Sequence, residues 1–226
     1  MKPSIILSHP QMGENIGAAA RVMANFGLVD LRIVAPRDGW PNEKAVEMAA
    51  NASALVENAK IFKTLEEAAA DLNFLYALTA RNREMDKKVI APREITLLEK
   101  TGFVFGPERT GLSNEEISLC DEIISIPVDS NFKSVNLAQS VAIIAYEIST
   151  IDHVTEQPRN QATKEELIAL FTHLENELDE RGFFQEATKK TGMVANIRAF
   201  LTRAQLSGQE LRTLRGIIRY LAQKSP

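Results

Sequence analysis

Short apolar runs rich in branched and aromatic residues, each closed by polar or Gly/Pro residues and followed by a helix-period stretch, recur along the 226-residue chain and constrain it more than any other feature. They fall at Ser4 to Leu7, Leu31 to Ala35, Phe74 to Leu78, Phe103 to Phe105 and Ile123 to Ile126, with a weaker one at Ile61-Phe62. A strand with no alternating polar residues has no solvent face, so its sheet must be covered on both sides. Strand-then-helix repetition supplies that cover through parallel crossovers. The expected fold class is therefore α/β, a parallel sheet with helices on both faces. With 45% apolar residues, the chain can bury one good core and a small appendage.

The helices carry their own punctuation. One is expected from Asn15 to Phe26, with Asn15 as N-cap and Gly27 as terminator. Ser113 and Glu116 have capping-box spacing, and Val135 to Ile148 is nearly all apolar, hence deeply buried. "DHVTEQPRNQAT" then reads as a linker, which sets the expected domains at 1–152, 153–162 and 163–226. Beyond it, Thr163/Glu166 and Ser207/Glu210 cap helices with apolar stripes at Leu167, Leu170, Phe171, Leu174, Leu178 and at Leu211, Leu214, Ile218, Leu221. Between them a helix carries Val194, Ile197, Phe200 and Leu201.

Composition excludes several classes. One cysteine, Cys120, rules out an internal disulfide framework, and His9, His153 and His173 have no ligand spacing, so no metal is expected. No apolar stretch approaches membrane-spanning length, so a soluble, cytoplasmic protein is expected. The net charge of −4 is uneven. From Arg181 onward nine Lys/Arg face two Glu, a net +7, leaving −11 on residues 1–180. A basic tail on an acidic body points to a polyanionic partner for the tail.

Open α/β sheets bind ligands at the carboxyl ends of their strands. No G-x-G-x-x-G follows a strand, Gly13 and Gly17 in "QMGENIG" are wrongly spaced for one, and the P-loop pattern is absent. The informative loops are "ALTARNRE", "FGPERTGLSNEE" and "IPVDSNFKSVN". Each has a plain structural reading. Gly106, Pro107 and Gly111 shape a turn, Asn15 caps a helix, Arg21 is solvated, and Ser134 and Asn136 start a helix. Together, however, they set hydrogen-bonding residues at the ends of several strands, which a purely structural sheet edge does not need.

"NIGAAARVMANFG", "FVFGPERTGLSNEEI" and "IPVDSNFKSVNLAQSVAIIAYE" resemble, in order and spacing, the three motifs of the SPOUT superfamily of S-adenosylmethionine-dependent RNA methyltransferases, in its TrmH-like ribose 2′-O branch. The likeness covers about residues 3 to 150. "HLENELDERGFF" and "MVANIRAFLTRAQLSGQELRTLRGII" resemble the C-terminal extension of TrmJ-type tRNA methyltransferases. The resemblance implies a deep trefoil knot in the last third of the sheet domain, whose loops hold S-adenosylmethionine. It also implies a homodimer with sites at the subunit interface, and methyl transfer to a pyrimidine at tRNA position 32, the first anticodon-loop nucleotide. Carried over residue by residue, it implies Arg21, Asn15, Glu108, Ser134 and Asn136 as catalytic. Leu78, Thr79, Ala80, Gly106, Ile126, Lys133, Ser134, Val135 and Leu137 are implied around the cofactor. Phe132-Lys133-Ser134-Val135-Asn136 departs from the Tyr-Ser-Ser-Leu-Asn common in TrmJ-type sequences, and Lys133 alters the contacts expected there. The basic tail offers Lys189, Lys190, Arg198, Arg203, Arg212, Arg215 and Arg219 to RNA phosphates, so deleting 160–226 should weaken tRNA binding and its salt dependence. Two alternatives remain open: a ribosomal RNA 2′-O-methyltransferase, and a catalytically silent RNA-binding module of the same fold.

Overall fold

A computed structural model of the chain describes residues 2–79, 86–132, 134–152, 155 and 161–223. Seven strands, β1 (Ser4–Ser8), β2 (Asp30–Val34), β3 (Lys60–Phe62), β4 (Phe74–Leu78), β5 (Val89–Ile90), β6 (Thr101–Phe105) and β7 (Glu122–Ile124), form one sheet. Every pairing is parallel and the order is β3-β2-β1-β6-β4-β7-β5. All six apolar runs are strands. The seventh strand, β5, was not anticipated, because two residues at a sheet edge are too short for an apolar run.

Side chains alternate between two cores, as the pleat requires. Ile5, Leu7, Ile33, Phe74, Tyr76, Leu78, Phe103, Phe105 and Ile124 face one side. There they meet α1 (Gly13–Asn25), α2 (Glu43–Ala49), α3 (Ser53–Glu57) and α6 (Leu137–Ser149). Ile6, Val34, Leu75, Ala77, Val104 and Ile123 face the other side, against α4 (Leu65–Ala69) and α5 (Asn114–Leu119). The same second core includes Leu167, Leu170 and Phe171 of α7 (Lys164–Glu180), Leu201 of α8 (Ala187–Arg203) and Leu211 of α9 (Gly208–Ala222). The basic extension thus shares a core with the sheet instead of hanging from it.

Buried polar contacts fasten that extension. Lys164 and Asp121, each 2% exposed, form an ion pair at 2.7 Å, and Asp121 also accepts the Leu75 N–H at 2.7 Å. Burial pushes the Asp121 carboxyl up against the pull of the Lys164 ammonium. Asn73 donates to the Gln161 and Ala162 carbonyls at 3.0 and 3.1 Å. At the opposite, amino end of the strands, Arg32 bridges Asp30 and Asp71, while Ser4 and Lys60 also donate to Asp30.

Three local expectations are corrected. α1 begins at Gly13 with Met12 at its N-cap and no side-chain cap, so Asn15 lies inside the first turn and is not the cap. Gly27, at φ 66°, does follow the helix end as expected. Phe200 is 56% and Leu221 73% exposed, so the apolar stripes of α8 and α9 are narrower than the sequence suggests. The three expected capping boxes, at Ser113, Thr163 and Ser207, are all present.

Candidate functional site

Adjacent strands β6, β4 and β7 end together, and their carboxyl ends open into a cavity of about 590 Å³. Leu78, Phe105, Ile124 and Ile126 supply its apolar floor, Val135 and Leu137 one wall, and Thr79, Ser134 and Ser140 its hydroxyls. Gly106, Pro107, Glu108, Arg109 and Gly111 form the facing loop. That loop folds back tightly: the Gly111 N–H donates to the Pro107 carbonyl at 2.8 Å, and Gly111 sits at φ 65°. A Cβ on Gly106 would lie 2.3 Å from the Leu112 amide nitrogen, so only glycine lets the strand end pass under the loop.

Beside the cavity, three residues expected to be catalytic are chained by hydrogen bonds. Glu108 accepts the Gln11 N–H on one oxygen at 2.9 Å and Asn15 Nδ2 on the other at 2.8 Å. Asn15 Oδ1 accepts Asn136 Nδ2 at 3.0 Å. Asn136 Oδ1 in turn accepts the Ala138 and Gln139 N–H groups at 2.8 and 3.4 Å as the N-cap of α6. The capping role read for Asn136 and the site role implied for it coexist, since donor and acceptor of one amide serve different partners. Because Asn15 is not a cap, its side chain is available to join the loops before α1, after β6 and before α6.

Of the residues implied to surround a cofactor, Leu78, Thr79, Gly106, Ile126, Ser134, Val135 and Leu137 line the cavity together. Ala80 and Lys133 lie outside the described residues. Glu108 lines the cavity as well, whereas Asn15 and Asn136 stand behind it. Arg21 is not brought to it: the side chain is exposed on α1, six positions beyond Asn15 and so on a different side of the helix. Phe105, Arg109, Ile124 and Ser140 were missed, and Pro107 and Gly111, read only as shaping a turn, line the cavity too. Ile124 had a signal, being two residues before Ile126, and Ser140 lies one helical turn beyond Leu137.

The seven tail cations divide. Lys189 pairs with Glu186 at 2.9 Å, and Lys190 with Asp179 at 2.7 Å. Arg198 is held bidentately by Glu175 at 2.7 and 2.9 Å over the Phe171 ring, which makes it a packing residue more than an outward-facing cation. Arg203 pairs with Asp86. Arg212 donates to Gln209 at 3.0 Å, and with Arg215 and Arg219 it forms an exposed basic strip. Among the described residues no cluster of three or more His, Cys, Asp or Glu could hold a metal, and no helix is long and apolar enough to cross a membrane.

The sequence model of the SpoU rRNA Methylase family matches residues 2–146, and that of the tRNA methyltransferase TrmJ C-terminal domain matches residues 165–225. A tRNA (cytidine/uridine-2′-O-)-methyltransferase TrmJ of Escherichia coli O6:K15:H31 (strain 536) is 34% identical over 98% of this chain and 95% of its own. A tRNA (cytidine-2′-O-)-methyltransferase TrmJ of Methanocaldococcus jannaschii is 35% identical over 93% of this chain and 96% of its own. The crystal structure of TrmJ from Z. mobilis ZM4 superposes with a TM-score of 0.92 at 42% identity, covering 99% of this chain and all of that one.

Proposed function

The chain belongs to the SpoU rRNA Methylase family and carries the TrmJ C-terminal domain on the same polypeptide, and on that premise we propose that it is an S-adenosylmethionine-dependent tRNA 2′-O-methyltransferase. Relatives with that activity in their names, alike over nearly the whole length of both chains, support the reading. The observation that carries it is the cavity at the ends of β4, β6 and β7, flanked by the Glu108–Asn15–Asn136 relay.

The cavity suits an adenosine with an amino-acid tail: a volume of about 590 Å³ is in the range of small-molecule sites, with apolar walls broken by a few hydroxyls. Leu78, Ile126, Val135 and Leu137 would hold the adenine, and Gly106 clears its approach. When bound, S-adenosylmethionine supplies an electrophilic methyl group on a sulfonium.

The chain's own part is to hold the ribose 2′-hydroxyl and stabilise the negative charge that grows on its oxygen as the proton leaves. Such positioning can contribute as much as ~7–11 kcal/mol. Arg21 suits the clamping of a substrate phosphate, since a guanidinium offers a planar fork of donors and no acceptor. Glu108 already accepts an N–H on each oxygen, which supports a role in locking the 10–15 segment against the cavity loop.

Arg21 lies outside its own chain's cavity, which supports a homodimer in which it serves the partner's site. The late entry of β7 between β4 and β5 supports a trefoil knot threaded by the segment before α6. We assign the catalytic unit to 1–152, a linker to 153–162 and the helical extension to 163–226. Ala80 and Lys133 join the cofactor set, the target is a pyrimidine at tRNA position 32, and the protein works in the cytoplasm beside its tRNA.

The deciding experiment is transfer of labelled methyl from S-adenosylmethionine to unmodified total tRNA, followed by nuclease digestion and mass spectrometry. The expected products are 2′-O-methylcytidine and 2′-O-methyluridine. Incorporation into ribosomal RNA with none into tRNA would replace the substrate and keep the reaction.

A further inference from the structure

The C-terminal helices reach the cavity wall through a polar seam that the proposed chemistry leaves unused. Thr202, near the end of α8 and 1% exposed, donates from Oγ1 to the Ser118 carbonyl at 3.0 Å. Buried Lys87 donates to the same carbonyl at 3.1 Å and to that of Cys120. The next residue of α8, Arg203, donates to the Asp86 carbonyl at 3.0 Å and pairs with its carboxylate. Two consecutive residues of one helix therefore grip the chain just ahead of β5 and just ahead of β7.

β7 runs into the cavity at Ile124 and Ile126, and β5 flanks β7 on the side away from β4. β5 sits at the sheet edge with β7 as its sole neighbour, so its lateral placement depends on how its lead-in is held. The Ile123 N–H donates to the Lys88 carbonyl at 2.9 Å, the Ser125 N–H to that of Ile90 at 3.0 Å, and the Thr79 N–H to that of Ile124 at 3.2 Å. A displacement of Asp86 to Lys88 thus passes by backbone hydrogen bonds to Ile123 and Ser125, the chain neighbours of Ile124 and Ile126, and from the Ile124 carbonyl to Thr79; Thr79, Ile124 and Ile126 line the cavity. The Asp86 side chain is 92% exposed, so its ion pair adds little to stability and its consequence is geometric.

We propose that Thr202 and Arg203 are positioning residues for the cofactor cavity, so that α8 fixes the β5–β7 wall and engagement of tRNA by the C-terminal helices changes cofactor affinity. The coupling is reciprocal: whatever tRNA does to cofactor binding, bound cofactor does to tRNA binding. The inference rests on the reading of the cavity as the cofactor site.

The test is calorimetric titration of S-adenosylhomocysteine into the full-length protein without RNA. No binding to the unaltered protein would overturn the cofactor reading and this inference with it. Arg203→Ala, a surface change, is expected to weaken binding about three- to tenfold with an unchanged melting temperature, and to raise KM for S-adenosylmethionine more than it lowers kcat. Thr202→Val with Arg203→Ala should weaken it further, and Thr202→Ser with Arg203→Lys, which keeps the hydroxyl and the cation, should return it to within about twofold of the unaltered protein. Binding in Arg203→Ala equal to that of the unaltered protein overturns the inference and leaves the cofactor reading standing.

Discussion

Asn136 shows how one side chain can hold a helix and a site at once, and it separates the two experimentally. Asn136→Ala removes both the cap and the bond to Asn15, and should cost about 1 kcal/mol of stability, as N-cap losses do, along with activity. Asn136→Asp keeps the cap but sets a second acceptor against Asn15 Oδ1. Its melting temperature should stay near that of the unaltered protein while kcat falls at least about tenfold. Gly106→Ala should lose cofactor binding and about 2 kcal/mol or more of stability, because its Cβ collides with backbone at Leu112 and no side chain can swing away. The sequence disclosed the hydrogen-bonding residues but not their wiring. Asn15 read as a cap because it precedes an apolar helical pattern, and only the backbone reveals that the helix starts two residues earlier, at Gly13. Arg21 stands outside the cavity lined by the described residues of its own chain, which no amount of local pattern could disclose.

Elements were more legible than sites. Apolar runs disclosed β1, β2, β4, β6 and β7 because burial on both faces leaves its mark on nearly every position, whereas β3 is an exposed edge with a weaker run and β5 is two residues long and leaves none. The extension's helices were legible through their capping boxes, yet their attachment was not. Lys164 stands in the first turn of α7 among acidic residues, and its side chain is 2% exposed against Asp121. Lys164→Met should cost about 3–5 kcal/mol in urea unfolding by leaving that carboxylate unpaired, and Lys164→Met with Asp121→Asn should recover most of the loss. On α9, Arg212, Arg215 and Arg219 carry exposed charge, whereas Lys189, Lys190, Arg198 and Arg203 are committed to acidic neighbours. Replacing Arg215 or Arg219 with Ala should weaken tRNA binding and lower the slope of log K against log salt by about 1, read from binding isotherms at several salt concentrations.

At the scale of the whole molecule, truncation at residue 160 is a poorer probe of RNA binding than the sequence suggests, since it strips Leu167, Leu170, Phe171, Leu201 and Leu211 from a core that also covers the sheet. Acid should act at the sheet's other end. Burial alone would raise the Asp30 carboxyl, but hydrogen bonds from Lys60, Ser4 and Arg32 outweigh it and hold the pKa at about 2, below the ordinary 3.8. A carboxyl depressed in the folded state stabilises above its unfolded pKa, so this contribution is lost as pH falls from about 4 through 2. Urea midpoints across that range should drop for the unaltered protein and flatten for Asp30→Asn. The strand order has a further consequence for a chain leaving the ribosome. β1 and β4 are finished early but are never neighbours, because β6 must slide between them, and β7 must then part β4 from β5. Until Thr101 to Phe105 emerges, the nascent chain displays two bare strand edges with no partner in sight, and its synthesis passes through a stage that a holding chaperone would have to shelter.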